Sequence, residues 1–214
     1  MGEVSMILDN RPLKVSVLTG KLDGFKALNT NTLSNPYCIK AHKNKNSICS
    51  ECYSIRMLEG IRKNCIPAWE NNSYILSTRE LSEIEIGHLN LQLEKYFRYD
   101  AHGELINEQH FYNLVLIALY YPSVNFRLWT KRNDIINKCM ARLNALPDNF
   151  KLIFSNSKVD KIMHKIPKYF YKTFNNVSKS NTNDVNCTGQ CKNCLTCYDA
   201  NINVNVNHIV EVKK

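Results

Sequence analysis

"YFRYDAHGELINEQHFYNLVLIALYYPSVNFRLWT", residues 96–130, decides the fold. Tyr96–Asp100 is short and rich in aromatic residues, which predicts a strand. Ala101–Leu105 turns the chain. From Phe111 to Tyr121 apolar residues fall on nearly every side, so the segment from Asn107 predicts a helix buried all round. Pro122 stops it, because proline brings no backbone N–H and its ring clashes with the preceding turn. Val124–Thr130 then reads as a second strand. A strand, a buried helix and a strand at this spacing argue for a parallel crossover unit.

The pattern continues downstream. Asn133–Leu146 predicts a helix that Asn133 or Asp134 caps. "PDNF" turns the chain, Lys151–Ser155 predicts a third strand, and Tyr169–Phe174 a fourth. Upstream, Val15–Gly20 alternates weakly and reads as a first strand, and Lys21–Ser50 is polar, turn-rich loop. Ile55, Leu58, Ile61 and Cys65 recur at helical steps, with Arg56, Glu59 and Lys63 facing water. Pro67 restarts the helix, and Ala68–Tyr96 reads as one long helical segment. The fold expected is α/β: a parallel, partial-barrel-like sheet with crossover helices over 1–180, and a cysteine-rich, metal-binding tail over 181–214 packed on it. Sites in such sheets form at the carboxyl ends of strands. Three loops matter there: Ala101–Glu104, Lys131–Arg132 and Asn156–Lys158.

Hydrophobic residues make up 44% of the 214 and charged residues 22%, a composition able to bury a core. No apolar run reaches the ~20 residues that span a bilayer. The start has no basic segment followed by an apolar one, and Met6 misses the Ser/Thr preference of a myristoylation site after Gly2. The expectation is a cytoplasmic protein without membrane contact. Its net charge is +9. The lysines are scattered, which suits a solvated surface as well as weak, nonspecific nucleic-acid binding; Lys131 and Arg132 are the cations such a partner would meet beside the site.

Nine cysteines in a reducing compartment point to metal or catalysis rather than disulfides. "NPYCIKAHKNKNSICSECYS" sets Cys38, Cys49 and Cys52 among lysines and asparagines, where packing gives them no reason to be. Three thiolates leave one iron of a 4Fe–4S cluster open; zinc completed by His42 is the alternative, and loop cysteines without metal are the third. "NCTGQCKNCLTCYD" is denser: Cys187-x3-Cys191-x2-Cys194-x2-Cys197, a spacing that wraps a cubane or a tetrahedral zinc, with Gly189 for the tight turn. Cys65 and Cys139 fall among apolar neighbours and read as core. His88 and His164 read as surface or core satellites, and His110 as the opening of a buried helix. His102 and Glu104 follow a strand at the active rim and are the better candidates.

These motifs resemble the phage gene product 88 domain family. The residues that carry the likeness are Cys38, Cys49, Cys52, Tyr53, Arg98, Gly103, Glu104, Pro122, Phe126, Trp129, Thr130, Lys131, the four tail cysteines and His208, in that order along most of the chain from Asn35. More distantly, the layout is similar to radical S-adenosylmethionine enzymes, which place a three-cysteine loop after a first strand and a Gly-Glu element after the second. The spacing here, Cys-x10-Cys-x2-Cys with Tyr53 after the last cysteine, differs from theirs. That resemblance implies one or two 4Fe–4S clusters and S-adenosylmethionine as cofactors. It places Glu104 on the cofactor's ammonium with Tyr53, Gly103 and Lys131 around it, and makes the tail an auxiliary cluster. The substrate stays open. The rival function is a zinc-binding module for nucleic acid or protein, without catalysis.

Overall fold

The computed structural model describes residues 11–213. The reading of the amino terminus as neither signal peptide nor myristoylation site falls on residues outside these. One sheet takes its seven strands in sequence order: β1 (Val15–Val17), β2 (Lys26–Leu28), β3 (Tyr96–Tyr99), β4 (Asn125–Thr130), β5 (Phe150–Val159), β6 (Lys172–Val177) and β7 (His208–Val212). β1 runs antiparallel to β2, and every later pair is parallel. Helices α1 (Pro36–His42), α2 (Tyr53–Glu59), α3 (Ile66–Thr78) and α4 (Glu83–Gly87) lie between β2 and β3. α5 (Glu108–Tyr120) links β3 to β4, α6 (Asn133–Met140) links β4 to β5, and the short α7 (Cys191–Cys194) precedes β7. The α/β class and the mostly parallel sheet are as the sequence predicts. Among the described residues no helix is long and apolar enough to cross a membrane.

Side chains alternate across a strand, and the sheet uses both faces. Phe97, Tyr99, Phe126, Leu128, Phe150 and Leu152 form the main core with residues of α3, α5 and α6. Register brings Phe97 beside Phe126 and Leu128 beside Leu152, and the Tyr99 ring stacks on Phe126 at 5.0 Å. Burying each such side chain stabilises the fold by about 1.5–3 kcal/mol. The intervening Arg98, Arg127 and Trp129 take the other face, which the tail covers. There Tyr198 clusters with Leu18, Phe25 and Ala27, and Trp129, Cys191 and Cys197 pack against them. Arg127 is buried and donates to the carbonyls of Cys197 (3.0 Å) and Tyr198.

Several local expectations are corrected. Lys21–Ser50 is not one loop: it holds β2 and α1, and β2 is a three-residue strand too short to show alternation. The cysteine loop leaves β2, not β1, whose antiparallel course puts its carboxyl end on the opposite edge. α2 stops at Gly60, so Ile61 is 86% exposed and Cys65 is half-buried rather than core. The long helix over 68–96 is broken after Thr78, where Asn113 of α5 donates to the carbonyls of Leu76 and Arg79 and accepts from Leu81 N–H. α4 then starts on its own capping box, Ser82 with Glu85. α6 ends at Met140, and its N-cap position is Arg132, without a side-chain cap bond. β5 runs on to Val159 through an irregularity after Ser155, and β6 starts at Lys172, not Tyr169. Cys139 is buried and His110 is 1% exposed. The tail region supplies β7, which pairs with β6 over five residues.

Candidate functional site at the carboxyl rim of the sheet

The chain leaves β2 through a run of buried polar residues, Asn29, Thr30, Asn31 and Thr32. Buried polar groups are costly unless bonded, and this run is bonded to the next strand end. His102 N–H donates to Asn29 Oδ1 (2.9 Å), Thr30 N–H donates to the His102 carbonyl (3.1 Å), and Thr30 Oγ1 donates to Asp100 Oδ1 (2.6 Å). Asn31 Nδ2 reaches Glu70 at 2.6 Å, and Thr32 Oγ1 meets Ser54 Oγ at 2.8 Å. Gly103 sits inside this knot at φ +119°; a Cβ there would lie 2.1 Å from Thr30 Oγ1 and 2.5 Å from Asp100 Oδ1.

Glu104 follows and is 5% exposed. Its Oε1 accepts from Leu105 N–H (2.9 Å) and Thr130 Oγ1 (2.5 Å), and its Oε2 accepts from Lys131 N–H (3.0 Å). A carboxylate offers about four acceptor positions, so Oε2 keeps one for a ligand. Arg132 is held by Asp134 and by the Leu105 carbonyl, and stands over the Tyr37 ring at 4.9 Å.

The three early cysteines come to this rim. Cys38 lies on α1, Cys49 in the 3-10 turn Ile48–Glu51, and Cys52 at the start of α2. Asn35 fixes the entry: its Oδ1 caps Tyr37 N–H and its Nδ2 donates to the Glu104 carbonyl. His42 Nδ1 donates to the Cys49 carbonyl (2.8 Å), which leaves Nε2 as the free nitrogen. Burial, then Glu104 and the thiols of Cys52 and Cys49, push the Cys38 thiol up. Burial alone would lower the Lys131 ammonium, but the charges of Cys49, Glu104, Cys52 and Cys38 more than offset it and hold it above the ordinary lysine value. Lys131 Nζ donates to Ser155 Oγ at 3.1 Å. A half-buried cation thus faces three thiols and a carboxylate.

His102 ties the two loops together. Its Nε2 meets Tyr53 Oη and its Nδ1 meets Ser54 Oγ, both at 3.1 Å, and its ring packs on Trp69 at 4.7 Å. Burial, with Arg62 and Arg98 nearby, lowers its pKa to about 3, so the ring is neutral. Tyr53 keeps 46% of its surface exposed beside Cys52.

The tail cysteines form a second place. Cys187, Cys191, Cys194 and Cys197 line one pocket with Thr196, Tyr198 and Ile209. Burial and the Cys191 and Cys187 thiols push Cys197 up to about 12. Burial would raise Cys194 as well, but the Thr196 hydroxyl, 3.0 Å from its sulfur, holds it below the usual thiol value. His208 does not join them: its ring partners are Thr173 (2.9 Å) and His164 (5.5 Å). Among the described residues no three His, Cys, Asp or Glu side chains are close enough to hold a single metal ion.

The sequence points to Gly103, Glu104, Thr130, Lys131 and both cysteine sets, and overlooks the Asn29–Thr32 run and Ser54. "ALNTNTLSN", a polar string straight after an apolar tripeptide, is the only local signal for that run. Fold and rim together define an α/β protein with a sequential parallel sheet, a cysteine loop on its carboxyl edge and a cysteine pocket on one face. The chain belongs to the gene product 88 family, whose model matches residues 9–186. That span contains Cys38, Cys49, Cys52, Glu104 and Lys131 and stops before Cys187. No curated protein and no solved structure matches the chain. These comparisons lend no support to the likeness with radical S-adenosylmethionine enzymes.

Proposed function

We propose that the protein is an iron–sulfur enzyme in which Cys38, Cys49 and Cys52 hold a 4Fe–4S cluster with one iron open to S-adenosylmethionine. The observation that carries this reading is the convergence at one rim of three thiols, the half-buried Lys131 with its ammonium pKa raised by them, and the Glu104 carboxylate. The donor set fits the group: three soft thiolates suit iron and sulfide, and Lys131 offsets the negative charge of such a centre. Six parallel strands in sequence order suit a partial barrel, with this rim as its mouth.

When bound, such a cluster supplies one electron for reductive cleavage of S-adenosylmethionine, the source of a radical that abstracts substrate hydrogen. The chain's own residues bind and orient. Glu104 would receive the cofactor ammonium through the acceptor position that Oε2 keeps. Gly103 keeps the strand end tight behind it, and Tyr53 offers an exposed ring beside Cys52. His102 holds Tyr53 and Ser54, and so sets Cys52 relative to Glu104. A zinc-binding module for nucleic acid is the other reading, favoured only by the net charge of +9.

Protein purified without oxygen is expected to be brown and to contain iron and sulfide. S-adenosylmethionine should perturb the electron paramagnetic resonance spectrum of the reduced cluster and be cleaved slowly to 5′-deoxyadenosine. Cys52→Ala should abolish both effects. Glu104→Gln should spare the iron and weaken the cofactor response roughly tenfold to a hundredfold, the loss of one charge-assisted hydrogen bond. Colourless protein with stoichiometric zinc defeats the proposal, and an iron cluster indifferent to the cofactor leaves electron transfer as the better reading.

A further inference from the structure

We infer that Cys187, Cys191, Cys194 and Cys197 hold a fully ligated iron–sulfur cubane whose sulfurs accept hydrogen bonds from Thr196 and Tyr198 and which seals the second face of the sheet. This stands apart from the S-adenosylmethionine reading, and these cysteines lie beyond the span of the family match.

Four observations support it. The first is the lining of the pocket: all four cysteines contribute to it. Four soft thiolates around one space suit an iron–sulfur centre.

The second is a chain of donors that ends on sulfur. Asn203 Nδ2 donates to Thr196 Oγ1 at 2.7 Å, and Thr196 Oγ1 lies 3.0 Å from Cys194 Sγ. An amide nitrogen only donates, so the threonine oxygen accepts there and its proton is left for the sulfur. Outer hydrogen bonds of this kind orient and tune metal ligands.

The third is a donor without an acceptor. Tyr198 lines the pocket and is 1% exposed, and its hydroxyl proton has no acceptor among the described residues. A buried hydroxyl left so is costly. Arg98, whose charge acts on it, is itself only a donor. A cubane brings inorganic sulfide as well as thiolate sulfur, so it offers more acceptors than a zinc tetrathiolate does.

The fourth is charge. Arg127 and Lys172 are buried, and their hydrogen bonds go to carbonyls only: Phe126, Asn149, Cys197 and Tyr198 for the arginine, Val206 for the lysine. Arg98 lies flat over the Trp129 ring at 3.4 Å. The Asp199 carboxylate offsets part of the Arg127 charge; the rest suits an anion on this face, and four thiolates on a cubane make a net negative centre. Because Leu195, Cys191 and Cys197 also pack on the Leu18–Phe25–Tyr198 cluster, filling the pocket fixes the tail on the sheet.

The test uses the full chain with the first site disabled by Cys49→Ser and Cys52→Ser. This protein should keep iron and sulfide and show one reducible cluster. Adding Cys194→Ser and Cys197→Ser should remove it. Those replacements endanger folding, so two variants that keep every ligand accompany them. Thr196→Val and Tyr198→Phe should each shift the cluster's midpoint potential to more negative values, since hydrogen bonds to sulfur favour the reduced, more negative state. Zinc without sulfide in the first-site variant, no metal there at all, or potentials unchanged in both Thr196→Val and Tyr198→Phe would overturn the inference.

Discussion

At position 103 the backbone stands at φ +119° with no room for a methyl group. Gly103→Ala combines left-handed strain with a collision against Thr30 and Asp100, and should cost about 2–4 kcal/mol, read as a lowered urea midpoint. Asp100 beside it governs a pH effect. Burial, opposed by Thr30 and helped by Glu104, raises its pKa to about 8 from 3.8, and its Oδ2 has no partner except His110 Nε2 at 3.8 Å. Burial lowers His110 to about 3 from 6.5, and His102 likewise. Up to about pH 6.5 the unfolded chain binds protons that the two folded imidazoles refuse, so stability rises with pH and outweighs the opposite slope of Asp100. From there to about pH 8 Asp100 dominates, the folded state holding its proton, and stability falls by up to about 1.4 kcal/mol per pH unit. Chemical denaturation from pH 5 to 8 should therefore pass through a maximum, and Asp100→Asn should abolish the decline above it. Gly103 and Glu104 are legible in sequence because they follow a recognisable strand. Their partner Thr30 is not, because nothing local announces a hydrogen bond that closes across seventy residues.

Elements long enough to show a period are legible, and those set by distant side chains are not. α5 carries its own signals, an Asn107 cap and an apolar run ended before Pro122. The break between α3 and α4 carries none, because Asn113 makes it from the far side of the core. That side chain serves three backbone groups, Leu76 O, Arg79 O and Leu81 N. Asn113→Ala leaves them buried without partners, and at about 1–3 kcal/mol for each unpaired group should cost roughly 3 kcal/mol or more. Asn107→Ala, which loses one exposed cap, should cost only about 1 kcal/mol. Comparable losses in the two thermal melts would contradict this account of the break.

At the scale of the molecule, alternating strands and helices announced the parallel sheet, whereas the placement of the tail on its second face depends on Arg127, Trp129 and Tyr198 meeting across distant segments. That placement changes what the net charge of +9 means. Arg127 and Lys172 lie inside, the half-buried Lys131 faces the rim cysteines, and Arg98 is stacked on Trp129. Arg132 is committed to Asp134 and the Leu105 carbonyl. Five of the 28 lysines and arginines are thus committed, including the Lys131–Arg132 pair that the sequence offers to a phosphate. Among the others are the exposed Lys40, Lys43 and Lys45 of the cysteine loop. Nucleic acid should therefore bind without sequence preference, with a dissociation constant of roughly 10⁻⁴–10⁻⁶ M at physiological salt. Replacing these three lysines with glutamine should flatten the salt dependence by up to about 0.9 in logarithmic slope for each phosphate no longer neutralised, while Arg132→Gln should leave the slope unchanged. Titration of a fluorescent duplex across a salt series measures both. A tight, sequence-selective complex that survives the triple substitution would mean that the internal cations are not spent on the cysteine sites and that the rim is a nucleic-acid surface.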